Sequence, residues 1–302
     1  MNRSRLIVLL CAATVASGCS VREFAARSIG DALVSGGDVY ASDEDVEFIG
    51  AATPFGLKTI ESLLAAVPDH RGLLLAAARG FTQYAYVYVQ VPAEESEDRD
   101  VAASYAQRER ARRFYLRARD YGLRGLGLQG PEATQKLRTD PSGALEKTTA
   151  ADVPLLVWTG LAWAAAISLG KDDPRIVSGL PAVEALIQRA ASLDADFDHG
   201  ALRTFLIAYE LNRPNAAPDA IDRARRHFAR AIELSGGRPA GPYVSLAESV
   251  AVARRDRSEY ESLLRMALAV DPGAKPEWRL VNLVMQRRAR RLLARAEEFF
   301  PE

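Results

Sequence analysis

Two cysteines and three histidines in 302 residues leave little material for thiol or imidazole chemistry. His70 lies in "PDHRG", His199 in "DFDHG" and His227 in "RARRHFARA"; none is spaced with another His, Cys or carboxylate as a metal site requires, so all three read as surface or capping residues. The chain has no HExxH, no GxSxG, no GxxxxGK[ST] and no GxGxxG, which removes the zinc-peptidase, nucleophile-elbow and phosphate-cradling chemistries. "GLRGLGLQG" neither follows a strand nor leads into Lys-Ser, and its glycines serve to end a helix and shape a loop. The paired carboxylates Asp43 and Asp45, or Glu94 and Glu95, sit in polar connectors with no apolar pocket to raise a pKa. No enzyme, cofactor or metal centre is expected. Net charge is lacking too: 39 basic and 39 acidic residues cancel, so no global field draws the chain to nucleic acid or anionic lipid. The basic run "RRARRLLAR", with Arg287, Arg288, Arg290, Arg291 and Arg295, reads as a solvated helix face or a docking strip for an acidic partner.

What is present begins with the leader. Arg3 and Arg5 precede the apolar run "LIVLLCAATVA", then come small Ala16, Ser17 and Gly18. That is the layout of a secretory leader, with an apolar run too short to span a membrane. Cys19 directly after the small residues resembles the cysteine of a bacterial lipobox, which receives a diacylglycerol thioether and becomes the mature N-terminus. On that reading residues 1–18, with Cys11, are removed and Cys19 is acylated, leaving no thiol free for disulfide, metal or nucleophile. The protein is then tethered by acyl chains and does not cross the bilayer. Ser20 stands where Asp would favour inner-membrane retention, so the expected place is the outer membrane, facing the periplasm. Residues 19–52 read as an anchored spacer ahead of one domain spanning 53–302.

That domain reads as all-α. "PFGLKTIESLLAAVPD" sets Leu57, Ile60, Leu63, Leu64 and Val67 on one stripe, with Pro54 at its start and Pro68 at its stop. "GLLLAAARGFTQYAYVYVQVP" alternates Tyr and Val as a strand does, yet has no second strand to pair with and is Ala-rich, which predicts one long helix ending near Pro92. "EESEDRD" follows as a polar loop, then an amphipathic helix over "ASYAQRERARRFYLRARDYG", then a Gly-, Pro- and Thr-rich excursion with one short helix near 131–137. "PLLVWTGLAWAAAISLG", almost without polar groups, predicts a helix buried on all sides in preference to a membrane span. Further helices are expected at about 174–193, 198–211, 218–235, 242–254, 256–270 and 276–299.

Short connections make these antiparallel pairs, and a degenerate repeat supports them. In tetratricopeptide (TPR) units a small residue, a large apolar one four on, and a small one three further fill the crossing of the paired helices. Ala111, Tyr115 and Ala118 fit, as do Val183, Ile187 and Ala190; Ala224, Phe228 and Ala231; and, with an aromatic first member, Tyr260, Leu264 and Ala267. The expected architecture is a degenerate TPR-like α-solenoid. On a helix Phe81, Tyr84 and Tyr88 share one side and Gln83, Tyr86 and Gln90 another, while Trp158 and Trp163 flank Gly160. Core packing accounts for such rings in most proteins, yet buried Tyr and Gln groups need hydrogen-bond partners, and a ligand-lined cavity is one source of them.

The stretch from "SGGDVYASDEDVEFIG" through "FTQYAYVYVQ", followed by "VWTGLAWAAAISL" and "PYVSLAESVAVARRDRSEYESLLRMALAVDP", resembles the T-component family of TRAP (tripartite ATP-independent periplasmic) transporters over nearly the whole mature chain. The resemblance implies a periplasm-facing lipoprotein that associates with the substrate-binding P-component, a periplasmic solute-binding protein. It further implies that the protein oligomerises and assists uptake of a hydrophobic or organic ligand. From the segments that carry it, the candidate ligand- or partner-binding residues are Tyr84, Tyr88, Gln90, Trp158, Trp163 and Tyr243. The reading from another class is a structural lipoprotein scaffold that organises envelope proteins and binds no small molecule.

Overall fold

A computed structural model of the chain describes residues 21–36, 39–213 and 216–301. Cys11 and Cys19, with the leader, lie outside them. The described residues form helices and no strand.

Residues 21–35 make a first helix, α1. α2 is Val46–Ala66, N-capped by Asp45, whose side chain accepts from the Phe48 N–H at 2.9 Å. This corrects two expectations. The segment read as a spacer is helical and packed, with Ala26 in the core beside Leu57 and Leu73. Pro54 stands inside α2 and does not start it; its missing N–H leaves Gly50's carbonyl without its ordinary helical donor.

α3, Arg71–Ala85, passes through a π turn, Tyr86–Gln90, straight into α4, Val91–Ser96. The expected end at Pro92 therefore fails: the helix runs on past the proline, whose missing N–H falls where the π turn hands over to α4 and the regular bonding pattern is already interrupted. The first three residues of the acidic stretch read as a loop, Glu94 to Ser96, are helix. α5, Val101–Gly125, is followed by the short α6, Pro131–Thr139, and α7, Pro141–Leu145. α8, Val153–Ser168, buries most of its circumference, including Leu155, Leu156, Val157, Thr159, Ala162 and Ile167, because α3, α5 and α10 pack against it. Pro154, Trp158, Leu161 and Ala165 form a half-buried stripe, which corrects the expectation of burial on all sides. It is a core helix, as its apolar sequence implied.

The next expected helix is two pieces, α9 (Pro174–Val177) and α10 (Leu180–Leu193), separated where the Trp163 indole presses on Gly179. α11, Phe197–Asn212, starts with three left-handed residues, Asp198, His199 and Gly200, at φ of 49°, 51° and 92°. α12 is Ala220–Ser235; α13, Gly241–Leu246, runs on through a second π turn, Ala247–Ala251; α14 is Arg257–Ala269. α15, Arg279–Ala294, and the short α16, Ala296–Phe299, complete the chain, with Arg295 between them breaking the one long helix expected over 276–299.

Successive helices pack as antiparallel pairs, α2 with α3, α3 with α5, α5 with α8, α8 with α10, α11 with α12 and α14 with α15. The crossing triplets do what their spacing implied. Ala111, Tyr115 and Ala118, then Val183, Ile187 and Ala190, then Tyr260, Leu264 and Ala267 are all buried; in the fourth set Ala224 and Ala231 are buried and Phe228 is half-buried.

The apolar core is partitioned. One cluster joins α1, α2, α3, α5 and α8; a small one joins the end of α3 to α5 and α8; another joins α8, α10 and α11; the last draws only on residues from Ile207 to Phe300. α15 nevertheless returns to the N-terminal elements, through polar contacts. The Leu280 N–H donates to Ala41 O at 2.9 Å and Arg279 Nη1 to Ser42 O at 3.1 Å. Arg287 pairs with Glu47, Arg288 with Glu94 at 3.2 Å, Arg291 with Glu95 at 3.0 Å and Arg295 with Asp98 at 3.0 Å. The array closes on itself, and the closing seam is ionic.

Candidate functional site: an ionic junction between two π turns

The two π turns face the same side chain. A π turn admits one extra residue into the helix, so every residue after it is rotated from its α-helical place, and such turns recur at functional sites. In the first, the rotation carries Gln90 inward while Gln83 stays exposed, which separates two residues that α-helical spacing placed together. Gln90 Oε1 accepts the Tyr115 hydroxyl at 2.6 Å, and its Nε2 donates to Glu94 Oε1 at 2.8 Å. Glu94 Oε2 accepts Arg288 Nη1 at 3.2 Å. From the second π turn, Glu248 takes the guanidinium bidentately, at 2.9 Å from Nε and 2.7 Å from Nη2. The guanidinium carbon lies 5.8 Å from the Tyr86 ring centre.

This is a continuous chain of hydrogen bonds from α5 through α15 to the second π turn, charge-assisted at every link but the first. Burial alone would lower the Arg288 pKa, but Tyr86, Glu248 and Glu94 together outweigh it and raise it, so the guanidinium stays charged. Burial pushes the Tyr86 phenol up to about 12 and holds Tyr115 well above its usual value, so both remain hydroxyl donors at any physiological pH. Two carboxylates on one guanidinium give the junction itself one excess negative charge, which Arg291 offsets from beside it by donating to the Glu94 carbonyl at 3.2 Å.

The six candidate residues do not converge. Tyr84, Tyr88 and Gln90 cluster around the first π turn. Tyr84 lies 5.7 Å from Tyr88 and edge-on to Phe114 at 5.5 Å. The Tyr88 hydroxyl donates to Val46 O at 2.9 Å, and its ring occupies the space above Gly50, where a Cβ would come within 2.5 Å of Cε1. Tyr88 is thereby a latch between α2 and the π turn, at the point where Pro54 has removed a helical hydrogen bond. Trp158 is half-buried under the Arg79 guanidinium at 5.7 Å, and Trp163 under Arg119 at 5.1 Å. Tyr243 is 8% exposed and packed edge-on to Phe228 at 5.6 Å, within the C-terminal core. An open groove of about 570 Å³ lies elsewhere, between Pro68, Arg71, Leu74, Arg124 and Gln129, and none of the six lines it.

Sequence reasoning passed over Arg288 and Glu94 because each stood in what looked like a solvated charged run, and over Glu248 because it is a lone acid in the otherwise uncharged "SLAESVA". The signal was in the pairing of two such runs. "EESEDRD" and "RRARRLLAR" have opposite sign, and the acids at 94, 95 and 98 meet the arginines at 288, 291 and 295 in order. Four of the five arginines of the basic strip are thus paired within the chain, with Arg290 left exposed, which corrects its reading as a free face or docking strip.

A second buried charge cluster involves a histidine read from sequence as a surface or capping residue. His227 of α12 turns inward, with Nε2 at 3.5 Å from Glu210 and Nδ1 at 3.3 Å from Arg203; Glu210, 7% exposed, also accepts Arg223 Nε at 3.0 Å. Burial, reinforced by the Arg203 charge, lowers the His227 pKa against the opposing pull of Glu210. A histidine whose folded pKa is depressed contributes no penalty while neutral in both states. As pH falls below the unfolded value of about 6.5, the unfolded chain takes up the proton first and stability declines. The melting temperature is expected to fall between pH 7 and 5, ahead of the carboxylate range near 4, and His227→Gln to flatten that part of the profile in a fluorimetric melt. An unchanged profile in the variant places the titration elsewhere. Of the other two histidines, His70 does cap α3, its Nδ1 accepting from the Leu73 N–H at 3.3 Å, but is buried; His199 is exposed, edge-on to Trp278 at 5.6 Å.

Comparison with known proteins settles the family. The model of the TRAP transporter T-component matches residues 42–300, nearly all of the helical array from just before α2 to α16. The chain belongs to the TRAP transporter T-component family. An uncharacterized protein of Treponema pallidum (strain Nichols) is similar to it, 27% identical over 310 residues that cover 97% of this chain and 94% of the relative. The family model's match takes in both π turns and both partners of each ion pair across the seam. As a T-component, the protein is transporter-associated.

Proposed function

We propose that this T-component is a lipoprotein, acylated on Cys19 and facing the periplasm, that binds the solute-binding P-component and assists uptake of a hydrophobic or organic ligand. The observation that carries the reading is the family match over residues 42–300, joined to the lipobox-like "VASGCS" at the end of the leader. The fold supports it through a rigid, self-closed helical array, which presents a fixed surface to a soluble partner with little ordering cost on binding. Among the described residues no group of three or more His, Cys, Asp or Glu is placed to hold a metal ion.

The geometry narrows the candidates. Tyr88 holds α2 to the π turn, so its removal acts first on folding. Trp158, half-buried beneath Arg79 and carrying no hydrogen bond across the fold, is the better probe. Immobilised protein is expected to retain a periplasmic solute-binding protein from envelope extracts, and Trp158→Ala to weaken that capture about tenfold or more, as truncation of a tryptophan anchor does, at unchanged melting temperature. Capture of an envelope-assembly complex in its place supports the structural-scaffold alternative and overturns the transport reading.

A further inference from the structure

Among the described residues fourteen large apolar side chains are exposed, and nine of them fall between Val21 and Phe55. The concentration is greatest on α1, whose attachment to the body is specific. Ala26 and Gly30 form its buried side; a Cβ on Gly30 would lie 2.9 Å from Leu73 Cδ1 and 3.0 Å from His70 Nε2. Arg27 bonds Glu23 at 3.0 Å and Asp69 at 2.8 Å, and Asp31 lies 3.2 Å from His70 Nε2. With that side fixed, Val21, Ala25, Ile29 and Leu33, at i, i+4 spacing, form an outward ladder with Phe24 beside its first turn. Val21 is 66%, Phe24 73%, Ile29 56% and Leu33 44% exposed.

We propose that this ladder rests on the lipid surface, with α1 lying in the membrane interface as a foot that orients the whole array. The inference rests on the acylation of Cys19 proposed above. Val21 is the second residue after Cys19, and two residues of fully extended chain span at most about 7 Å. The acylated residue sits at the bilayer surface, so the first turn of α1, with Val21 and Phe24, cannot leave the headgroup region. An apolar ladder held there by a docked helix is covered by acyl chains at no ordering cost to the protein. The charges of α1, Arg22, Glu23, Arg27 and Asp31, sum to zero, so the contact is apolar and indifferent to lipid charge. At 15 residues the helix spans about 22 Å, too short to cross the hydrocarbon and suited to lying in the interface. The part of the chain that sequence suggested as slack tether thereby becomes a rigid contact.

The test uses the full-length acylated protein in vesicles of phosphatidylethanolamine and phosphatidylglycerol. Acylation consumes Cys19 and maturation removes Cys11, so Ile29→Cys or Phe24→Cys supplies a single thiol for a spin label, with Tyr105→Cys on exposed α5 as the aqueous control. Labels at 24 and 29 are expected to collide with lipid-soluble oxygen and to be shielded from a water-soluble nickel chelate about fivefold relative to the label at 105, as for a helix buried in the interface. Chelate access at 29 equal to that at 105 overturns the proposal while leaving the lipoprotein reading intact. Shielding accompanied by dipolar broadening between labels also overturns it, and assigns the face to a second copy of the chain. Mass spectrometry of the N-terminal peptide separates the two layers: an unmodified Cys19 removes the lipoprotein reading and this inference with it.

Discussion

Replacing Arg288 by methionine is expected to cost about 3–5 kcal/mol of folding stability, the range for stripping one partner from a buried ion pair. The side chain is 20% exposed and, among the described residues, is the one cation bonded to both Glu94 and Glu248. Methionine fills much of the volume but leaves the two carboxylates facing each other with three of their four bonds lost. The loss is therefore one of uncompensated charge. Two consequences distinguish it from a surface effect. The cost persists at 1 M salt, where screening acts over about 3 Å on solvated charges and far less on buried ones. And the triple replacement Arg288→Met, Glu94→Gln, Glu248→Gln recovers more than half of it, because removing a buried ionic set whole is far milder than breaking it. Arg287→Met, by contrast, breaks an exposed pair with Glu47 and is expected to cost less than about 1 kcal/mol, falling further with salt. Denaturant midpoints at low and high salt measure all of these. A loss below about 1 kcal/mol for Arg288→Met means that water solvates the junction, and the ionic seam then contributes little to closure.

The second large effect belongs to the C-terminal crossing. Tyr260 has no exposed surface, packs at 5.1 Å against Phe300 and 5.8 Å against Phe299, and donates its hydroxyl to Leu292 O at 3.1 Å. Tyr260→Ala is expected to cost about 3–5 kcal/mol, the range for truncating a large aromatic in a core. Tyr260→Phe keeps the ring and loses the hydrogen bond, at about 1 kcal/mol. The ratio separates packing from bonding. In a chain of this size about 4 kcal/mol lowers the melting temperature by roughly 10 °C, readily seen by calorimetry. Equal losses in the two variants would make Tyr260 a bonding residue, with ring packing incidental.

Tyr260 was legible in the sequence, and the reason is periodicity. Residues that fill a helix crossing repeat at intervals set by the helix itself, so Tyr260, Leu264 and Ala267 announce their burial without reference to any other segment. The same holds for Ala111, Tyr115 and Ala118, and for the unbroken apolarity of α8. Arg288 was not legible for the complementary reason. Its partners stand 194 and 40 residues away, and nothing local separates an arginine with two distant carboxylates from one that faces water. The π turns were hidden in another way. "YVYVQ" and "AESVA" have ordinary helix-compatible composition, and the extra residue each contains is accommodated by tertiary contacts with no composition of its own. Pro54 misled because proline most often marks a helix start; here Asp45, nine residues earlier, supplies the cap. Of the six candidate residues, Tyr84, Tyr88 and Gln90 lie at the first π turn beside the junction, whose own charged members went unread: Glu94 and Arg288 were assigned to solvated runs, and Glu248 carried no local signal.

The return of α15 to the elements that open the chain constrains how this architecture can change over time. Open superhelical arrays tolerate gene-level duplication of a unit, since each added pair extends the stack by one step and leaves the rest untouched. Here an inserted pair would carry Arg288 and its neighbours past Glu94, Glu95 and Asp98 and uncouple every one of those partners together. Insertions are consequently expected to be borne best by excursions that leave the circuit undisturbed, such as the α6–α7 segment, while an added unit between α4 and α15 would break their pairing.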